Sequence, residues 1–378
     1  MNKNNKHHAI KLSDVILINE TEHQDAYLCS SRNLWHDKGL IKTELPVRFR
    51  IISPSDSVKF SSGGIFTKNQ FKSALNKIKI FDKKNIYIID LLKEYHGFID
   101  YECNAVPFSF RAKHNTVNFG INYHEVEKFE NHITSVMNNK YHNSVNILSR
   151  FSTSEAAIEN IYQSITIKNP HFLTEKQLVE SFSDEKTNLL YKRIPCVDHS
   201  APSIEGIIDF SYFIQNKFNS ETDWLHIHCH GGKGRSTSFS LIFDILMRVK
   251  NSELHNISFS DLLTVHHKSG GKDLHVSNED EIWKLKLTED RYKLLYKIYN
   301  VLVTIEEHKL SNSFATALDI FFSLQNNHKT FEEVIARNDI QDQLYDKPAL
   351  KDALHDWYLQ SIVATCDHEL FDINKHEL

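Results

Sequence analysis

Trp224-Leu225-His226-Ile227-His228-Cys229-His230-Gly231-Gly232-Lys233-Gly234-Arg235-Ser236 is the stretch on which the fold turns. Trp224 to His228 reads as a buried strand, Gly231, Gly232 and Gly234 break the extended chain, and Ser236 to Val249 has the apolar pattern of a helix. A strand that runs through a glycine-rich turn into a helix directs successive backbone N–H groups at one point, where they can hold an anion. The unit it defines is α/β.

The residues inside the turn have a matching chemistry. Cleavage of a phosphate monoester needs a nucleophile ionised at neutral pH, donors for the equatorial oxygens and a proton for the leaving alcohol. Cys229 stands just before the helix, where the positive end of the dipole and nearby cations favour a thiolate. Gly231, Gly232 and Gly234 let the backbone curl with its N–H groups inward, and the planar fork of Arg235 can take two phosphoryl oxygens at once. Ser236 can donate to the sulfur and assist its departure. A bare Cys-x5-Arg spacing would leave Cys229 open to being an ordinary core thiol. The preceding strand with His228, the glycines, Ser236 and the apolar helix argue for the catalytic reading. The acid should lie upstream on a loop; Asp198, 31 residues before Cys229 and ahead of Pro202, is the candidate, with helix capping as its other reading.

Outward from the turn, Phe66 to Ile78 reads as an amphipathic helix with Thr67 as cap, and Asn85 to Leu91 as a buried parallel strand. Ser144 to Leu148 is β-like, Ser152 to Ile165 has a helical pattern, Tyr191 to Val197 is a strand, and residues 203–218 form an amphipathic helix. After about Leu310 the pattern is helical throughout, clearest at 313–324 and 330–335, which reads as an appended segment packed on the rest.

With 378 residues, 40% of them hydrophobic, the chain can bury a large core. Its formal charge of −5 provides no global basic field, so nucleic acid is not expected and a polyanion must meet a local basic cluster. Five irregularly spaced cysteines suggest neither a disulfide scaffold nor a zinc site. No apolar run has the length of a signal core or a membrane span, so the expectation is a cytoplasmic protein, or one exported without a cleaved signal.

At these residues the sequence resembles the protein-tyrosine-phosphatase-like (PTP-like) phytases, also called cysteine phytases. The resemblance is carried by Ser62-Gly63 with Phe66 to Phe71, Ile88 to Leu91, Glu94-Tyr95-His96-Gly97-Phe98, His114-Asn115, Arg193-Ile194 with Asp198-His199, Trp224 to Cys229, and Gly270-Gly271 through Trp283-Lys284, in the family's order. It covers about residues 45–305. Three departures stand out: Leu92 where members usually have Arg, His266 where many have Gln, and no signal-peptide pattern where many members are secreted.

The resemblance implies an α/β phosphatase core, a central sheet flanked by helices, with a small β-rich subdomain. The expected layout is a flexible 1–20, a phosphatase domain over 21–310 and a helical extension over 311–378. It implies stepwise hydrolysis of myo-inositol polyphosphates such as inositol hexakisphosphate through a phosphocysteine, with Cys229 as nucleophile, Arg235 as phosphate binder, Asp198 as acid and His199 beside it. Neither cofactor nor metal is expected. The candidate substrate contacts are His199, His228, His230, Gly231, Gly232, Lys233, Gly234, His267 and Lys284. His230 and Lys233 add positive character where a phosphotyrosine enzyme does not need it, and a loop lysine resembles the phosphatases of inositol lipids. The alternatives are therefore a phosphoinositide or phosphotyrosine phosphatase, or a non-catalytic phospho-ligand binder. A membrane-lipid substrate would be helped by an amphipathic apolar element, for which 313–324 is the candidate.

Overall fold

The structure, a computed structural model, describes residues 34–37, 44–55, 58–101, 104–110, 123–152, 160–275, 282–327, 330–344, 348, 351–352 and 354–358. In chain order its elements begin with β1 (Leu34–Asp37), β2 (Arg50–Ile52), β3 (Phe60–Gly64), α1 (Lys68–Lys79), β4 (Asn85–Leu92), β5 (His96–Tyr101) and β6 (Asn104–Phe110). Next come α2 (Val126–Lys140), β7 (Ser144–Ser152), β8 (Asn160–Lys168), β9 (His171–Leu173), α3 (Glu175–Glu180), β10 (Asn188–Cys196), α4 (Ile204–Asn216) and β11 (Asp223–Cys229). The helices α5 (Gly234–Lys250), α6 (Phe259–Lys268), α7 (Ile282–Glu307), α8 (Phe314–Asn327), α9 (Phe331–Ile335) and α10 (Asn338–Leu344) follow. Two units result, the first drawn from 1–200, 220–237 and 268–272, the second from 201–219, 238–267 and 273–378.

The first unit contains both sheets. The five-stranded sheet has the order β10-β4-β11-β3-β2, parallel except for its edge strand β2. Four parallel strands bring their carboxyl ends to one edge, so the chain after Gly64, Leu92, Cys196 and Cys229 emerges on the same side. That is where open α/β sheets bind ligands. Every residue of β11 is buried, as a central parallel strand requires. Below the edge, Trp224 stacks on Phe81 at 4.4 Å and donates Nε1–H to Ser61 Oγ at 2.8 Å. The reading of Thr67 as a cap holds: its hydroxyl accepts from Gln70 N while the Gln70 side chain accepts from Thr67 N.

The six-stranded sheet, order β8-β7-β1-β6-β5-β9, is the β-rich part expected from the resemblance. Here the reading of Ser152 to Ile165 as helix is corrected for Ser152 and residues 160–165; residues 153–159 lie outside the described residues. Ser144–Ser152 and Asn160–Lys168 pair as antiparallel strands along their whole length. Ile161, Ile165 and Ile167 share one face at even spacing, with Gln163 between them, and β-branched Ile and Thr166 favour the extended chain over the few helical spacings.

In the second unit the helices after residue 310 are packed in. Gln215 of α4 accepts from Ala315 N at 2.9 Å, and Phe314, Leu318, Phe321, Phe322 and Leu324 are buried. The stretch considered for lipid contact therefore spends its apolar face on its own core. Among the described residues no helix is long and apolar enough to cross a membrane.

Candidate active site

Cys229 ends β11 and α5 begins at Gly234, so the intervening turn hangs on two buried elements at the sheet's carboxyl edge. Its carbonyls face outward and are held. His230 O accepts from Ile65 N at 3.1 Å, Gly231 O from Arg48 Nη1 at 2.8 Å, and Gly232 O from Arg50 Nη1 at 2.8 Å. Peptides whose oxygens point out direct their N–H groups in, which is the anion nest expected from the glycines. Gly232 is indispensable to it: φ is +65°, and a Cβ there would lie 2.5 Å from the backbone of Gly63 and Gly64.

Arg235 closes the turn from below. Its Nη1 and Nη2 donate to the two carboxylate oxygens of Glu94 at 2.6 and 2.7 Å, and Nη1 also donates to Cys196 O at 3.0 Å. Nη2 lies 3.2 Å from Asp198 Oδ1, while Nε is buried without a partner. Asp198, just past the end of β10, is thus brought to the same guanidinium as the phosphate loop. Burial pushes its carboxyl upward, but Arg235 and then His199 outweigh burial and hold it below the ordinary carboxylate range. Arg50 feels the site from the other side. Burial lowers it to about 10, against the pull of Cys229 and with help from the repulsion of Arg48.

Beneath the loop lies a buried charge network. Asp90 Oδ2 is 3.3 Å from both Arg193 Nη1 and His96 Nε2, and accepts from Tyr191 OH at 2.8 Å. Arg193 also pairs with Glu130 and donates to the carbonyls of Leu92 and Glu94. Glu175 reaches His96 Nε2 at 2.8 Å and His228 Nε2 at 2.6 Å. Asp90, Glu175 and His228 are close enough together to suggest a metal. Arg193 and His96 already stand against those carboxylates as cations, so the donor set does not fit an added one.

The structure brings Cys229, Arg235, Asp198, Ser236 and the loop residues together. Ser236 departs from its expected donation to the sulfur: it is buried, and its single hydroxyl hydrogen goes to Gly63 O at 3.3 Å. Lys233 is exposed and His230 half-buried at the loop, and His199 is exposed with its Nε2 3.6 Å from Asp198. His228 departs from its expected role as a substrate contact. It is fully buried, because both faces of this central parallel strand are covered, and it meets Glu175. His267 is an exposed residue of α6 and Lys284 stands in the first turn of α7, its side chain outside the described residues; both belong to the second unit. His266 is buried in that unit, its Nε2 3.1 Å from Asp244. His114 lies outside the described residues.

Four participants escaped the sequence reading: Arg48, Arg50, Glu94 and Glu175. Arg50 opens the short strand β2 and Arg48 lies in the turn before it, with φ +54°, but nothing local ties either to a loop about 180 residues on. Glu94 stood inside a quoted motif without an assigned role. Glu175 follows the cap Thr174 and reads as an ordinary first-turn acid.

Known proteins similar to this chain share its fold. The PTP-like phytase family model, described by the words inositol hexakisphosphate, matches residues 89–247. The effector protein hopD2 of Pseudomonas syringae pv. tomato is 22% identical over 215 residues, 56% of this chain and 42% of that protein. Among solved structures, the tandemly repeated PTP-like phytase of Mitsuokella multacida matches with TM-score 0.58 and 23% identity over 80% of this chain and 51% of its own. A PTP-like phytase of Bdellovibrio bacteriovorus matches with TM-score 0.53 and 23% identity over 71% and 88%. The PTP-like myo-inositol phosphatase of M. multacida in complex with myo-inositol-(1,3,4,5)-tetrakisphosphate matches with TM-score 0.57 and 22% identity over 79% and 51%. The chain spans about half the length of the M. multacida proteins and less of the effector. It resembles the PTP-like phytases in sequence and has their fold.

Proposed function

We propose that this chain, with the PTP-like phytase fold and the family's loop at its sheet edge, is a cysteine-dependent phosphatase of myo-inositol polyphosphates. The observation that carries the reading is Arg235: Glu94 fixes one edge of its guanidinium, and the other edge offers an unpartnered Nε and an Nη2 shared with Asp198. Two phosphoryl oxygens fit that free edge, and the inward N–H groups of the loop take the equatorial oxygens. Cys229 Sγ attacks phosphorus in line, the P–O bond to the ring breaks, and Asp198 gives its proton to the leaving oxygen. Water then attacks the phosphocysteine, Asp198 takes the proton back, and sulfur leaves as thiolate. Cys196 takes no part as a disulfide partner: it and Cys229 end strands on opposite sides of β4, about 9–10 Å apart, beyond bridging range.

Support for a polyphosphorylated ring comes from Lys233 and Arg48, exposed at the loop, and Arg50 beside it, a local basic cluster in a net acidic chain. The related M. multacida protein holds an inositol tetrakisphosphate. The test is phosphate release from inositol hexakisphosphate, a short-chain phosphoinositide and a phosphotyrosine peptide side by side, with Cys229→Ser as control. Preference for the soluble hexakisphosphate supports the proposal. Preference for either other substrate, or turnover by Cys229→Ser above a few per cent, overturns it.

A further inference from the structure

We infer that Glu175 is a positioning residue for the proposed reaction, a single carboxylate that holds both His228, next to the nucleophile, and His96, which supports the clamp on Arg235. The inference rests on the phosphatase reading above and deepens it.

Glu175 opens α3, whose start is fixed by the reciprocal cap between Thr174 and Gln177. A first-turn glutamate ordinarily faces water and the helix dipole. This one is 1% exposed and wedged between two rings on different strands, His96 on β5 and His228 on β11.

The proton positions follow from what can donate. A carboxylate only accepts, so His96 Nε2, hydrogen-bonded to Glu175 at 2.8 Å, must carry hydrogen. His228 Nε2 approaches the other carboxylate oxygen to 2.6 Å without hydrogen-bond alignment, and so close an approach to an anion likewise requires hydrogen on that nitrogen. His96 Nδ1 faces the carbonyl of Glu94 at 3.2 Å, another pure acceptor, so that ring carries two hydrogens and a positive charge. Burial opposes charge on both partners, yet Asp90 and Glu175 hold His96 well above its ordinary range, and His228 foremost keeps Glu175 below its own. The charged ring anchors the main chain at Glu94, whose carboxylate grips Arg235 through both terminal nitrogens. Two parts of the phosphate loop, the residue before Cys229 and Arg235, are therefore tied to one buried anion.

An amide of the same shape cannot do this. Glutamine has one acceptor oxygen, and its NH₂ would confront the second Nε2–H. His96 would then keep Asp90 as its anionic neighbour, beside Glu130, which burial pushes up to about 7, and opposed by Arg193, with Tyr191 on Asp90, and would give up its proton at lower pH.

The experiment combines kinetics and spectroscopy on the full chain. For Glu175→Gln, kcat/KM on para-nitrophenyl phosphate is expected to fall roughly tenfold or more, and to fall further as pH rises through neutrality, where the wild type keeps its His96 charge. Histidine ¹⁵N spectra should show His96 doubly protonated in the wild type and titrating near neutrality in the variant. A variant with wild-type kcat/KM, or with a pH-independent loss and an unchanged His96 signal, overturns the inference. Should the variant not fold, the wild-type spectrum decides: a neutral His96 at pH 7, or a bare Nε2 on His228, overturns it. A wild type that shows the expected spectrum but hydrolyses no phosphate monoester supports the bridge and rejects the phosphatase reading.

Discussion

Asp198 occupies the place on Arg235 that the proposed phosphoryl oxygen would take. Its Oδ1 is 3.2 Å from Nη2, the nitrogen beside the unpartnered Nε, while Glu94 fills the opposite edge. An arriving phosphate that uses Nε and Nη2 together must displace it. The exchange has a chemical use. Paired with the guanidinium, and despite burial, Asp198 stays below the ordinary carboxylate range and holds no proton. Separated from the cation and set against a phosphate dianion, it gains one. On the proposed mechanism the acid would then hold its proton only when substrate is present.

Binding of inorganic phosphate should therefore be accompanied by proton uptake, and Asp198→Asn should abolish that uptake. The variant should bind phosphate about three- to tenfold more tightly, the worth of a partly exposed ion pair no longer in competition. Its rate on inositol phosphates should fall by about 10²-fold or more for want of the acid, and less on an activated aryl phosphate. Calorimetry in buffers of different ionisation enthalpy measures the uptake. Equal affinity and equal uptake in both proteins would leave Asp198 without this role.

Gly232→Ala tests the nest. A left-handed residue costs about 1–2 kcal/mol without glycine, and forcing a methyl to within 2.5 Å of backbone adds about 1–3 kcal/mol. Gly231→Ala should be mild by contrast, since its Cβ would meet Arg48 Nη1 at 3.9 Å as its nearest neighbour. Denaturant unfolding and kcat/KM measured on both variants check the contrast. Equal losses would mean that the turn relaxes and that its backbone is not held.

What could be read from the chain alone depended on range. The strand, turn and helix from Trp224 to Val249 are set by neighbours in sequence, so β11, the loop and α5 were legible, and so was Thr67 through its reciprocal bond with Gln70. Arg48 and Arg50 were not, because their purpose exists only once β2 pairs with β3 beside the loop. His228 misled for the same reason: its place beside Cys229 suggested a substrate contact, and the strand turns it inward. The β7–β8 pairing was missed where spacing over a few residues satisfied both periods.

Glu130 should impose a pH dependence on stability. Burial, opposed by Arg193 and His96, pushes it up to about 7 from 4.5. Between these values the folded protein holds a proton that the unfolded chain has released. Stability thus falls as pH rises through that window and is level above it, by an amount on the order of 3 kcal/mol. Glu130→Gln, never charged and still able to accept from Arg193, should lose this component. Denaturant titrations from about pH 4.5 to 8 compare the two; parallel curves would show Glu130 ionised throughout.

Lys233 and Arg50 divide the basic cluster into two functions that one pair of substrates can separate. Lys233 is exposed at the loop, so its ammonium can meet a ring phosphate that is not reacting. Such a charge-assisted contact is worth about 1.5–3 kcal/mol before screening, so Lys233→Met should lower kcat/KM for inositol hexakisphosphate by roughly tenfold or more. A small aryl phosphate fills only the nest, and its kcat/KM should hardly change. Arg50→Ala should behave differently. It strips the donor from Gly232 O and lets that peptide turn, so both substrates should suffer together. Salt sharpens the distinction, because the exposed Lys233 effect should shrink at high ionic strength while the half-buried Arg50 effect should persist. Parallel loss on both substrates in Lys233→Met would mean that this lysine only shapes the loop, and the polyphosphate preference would then need another source of positive charge.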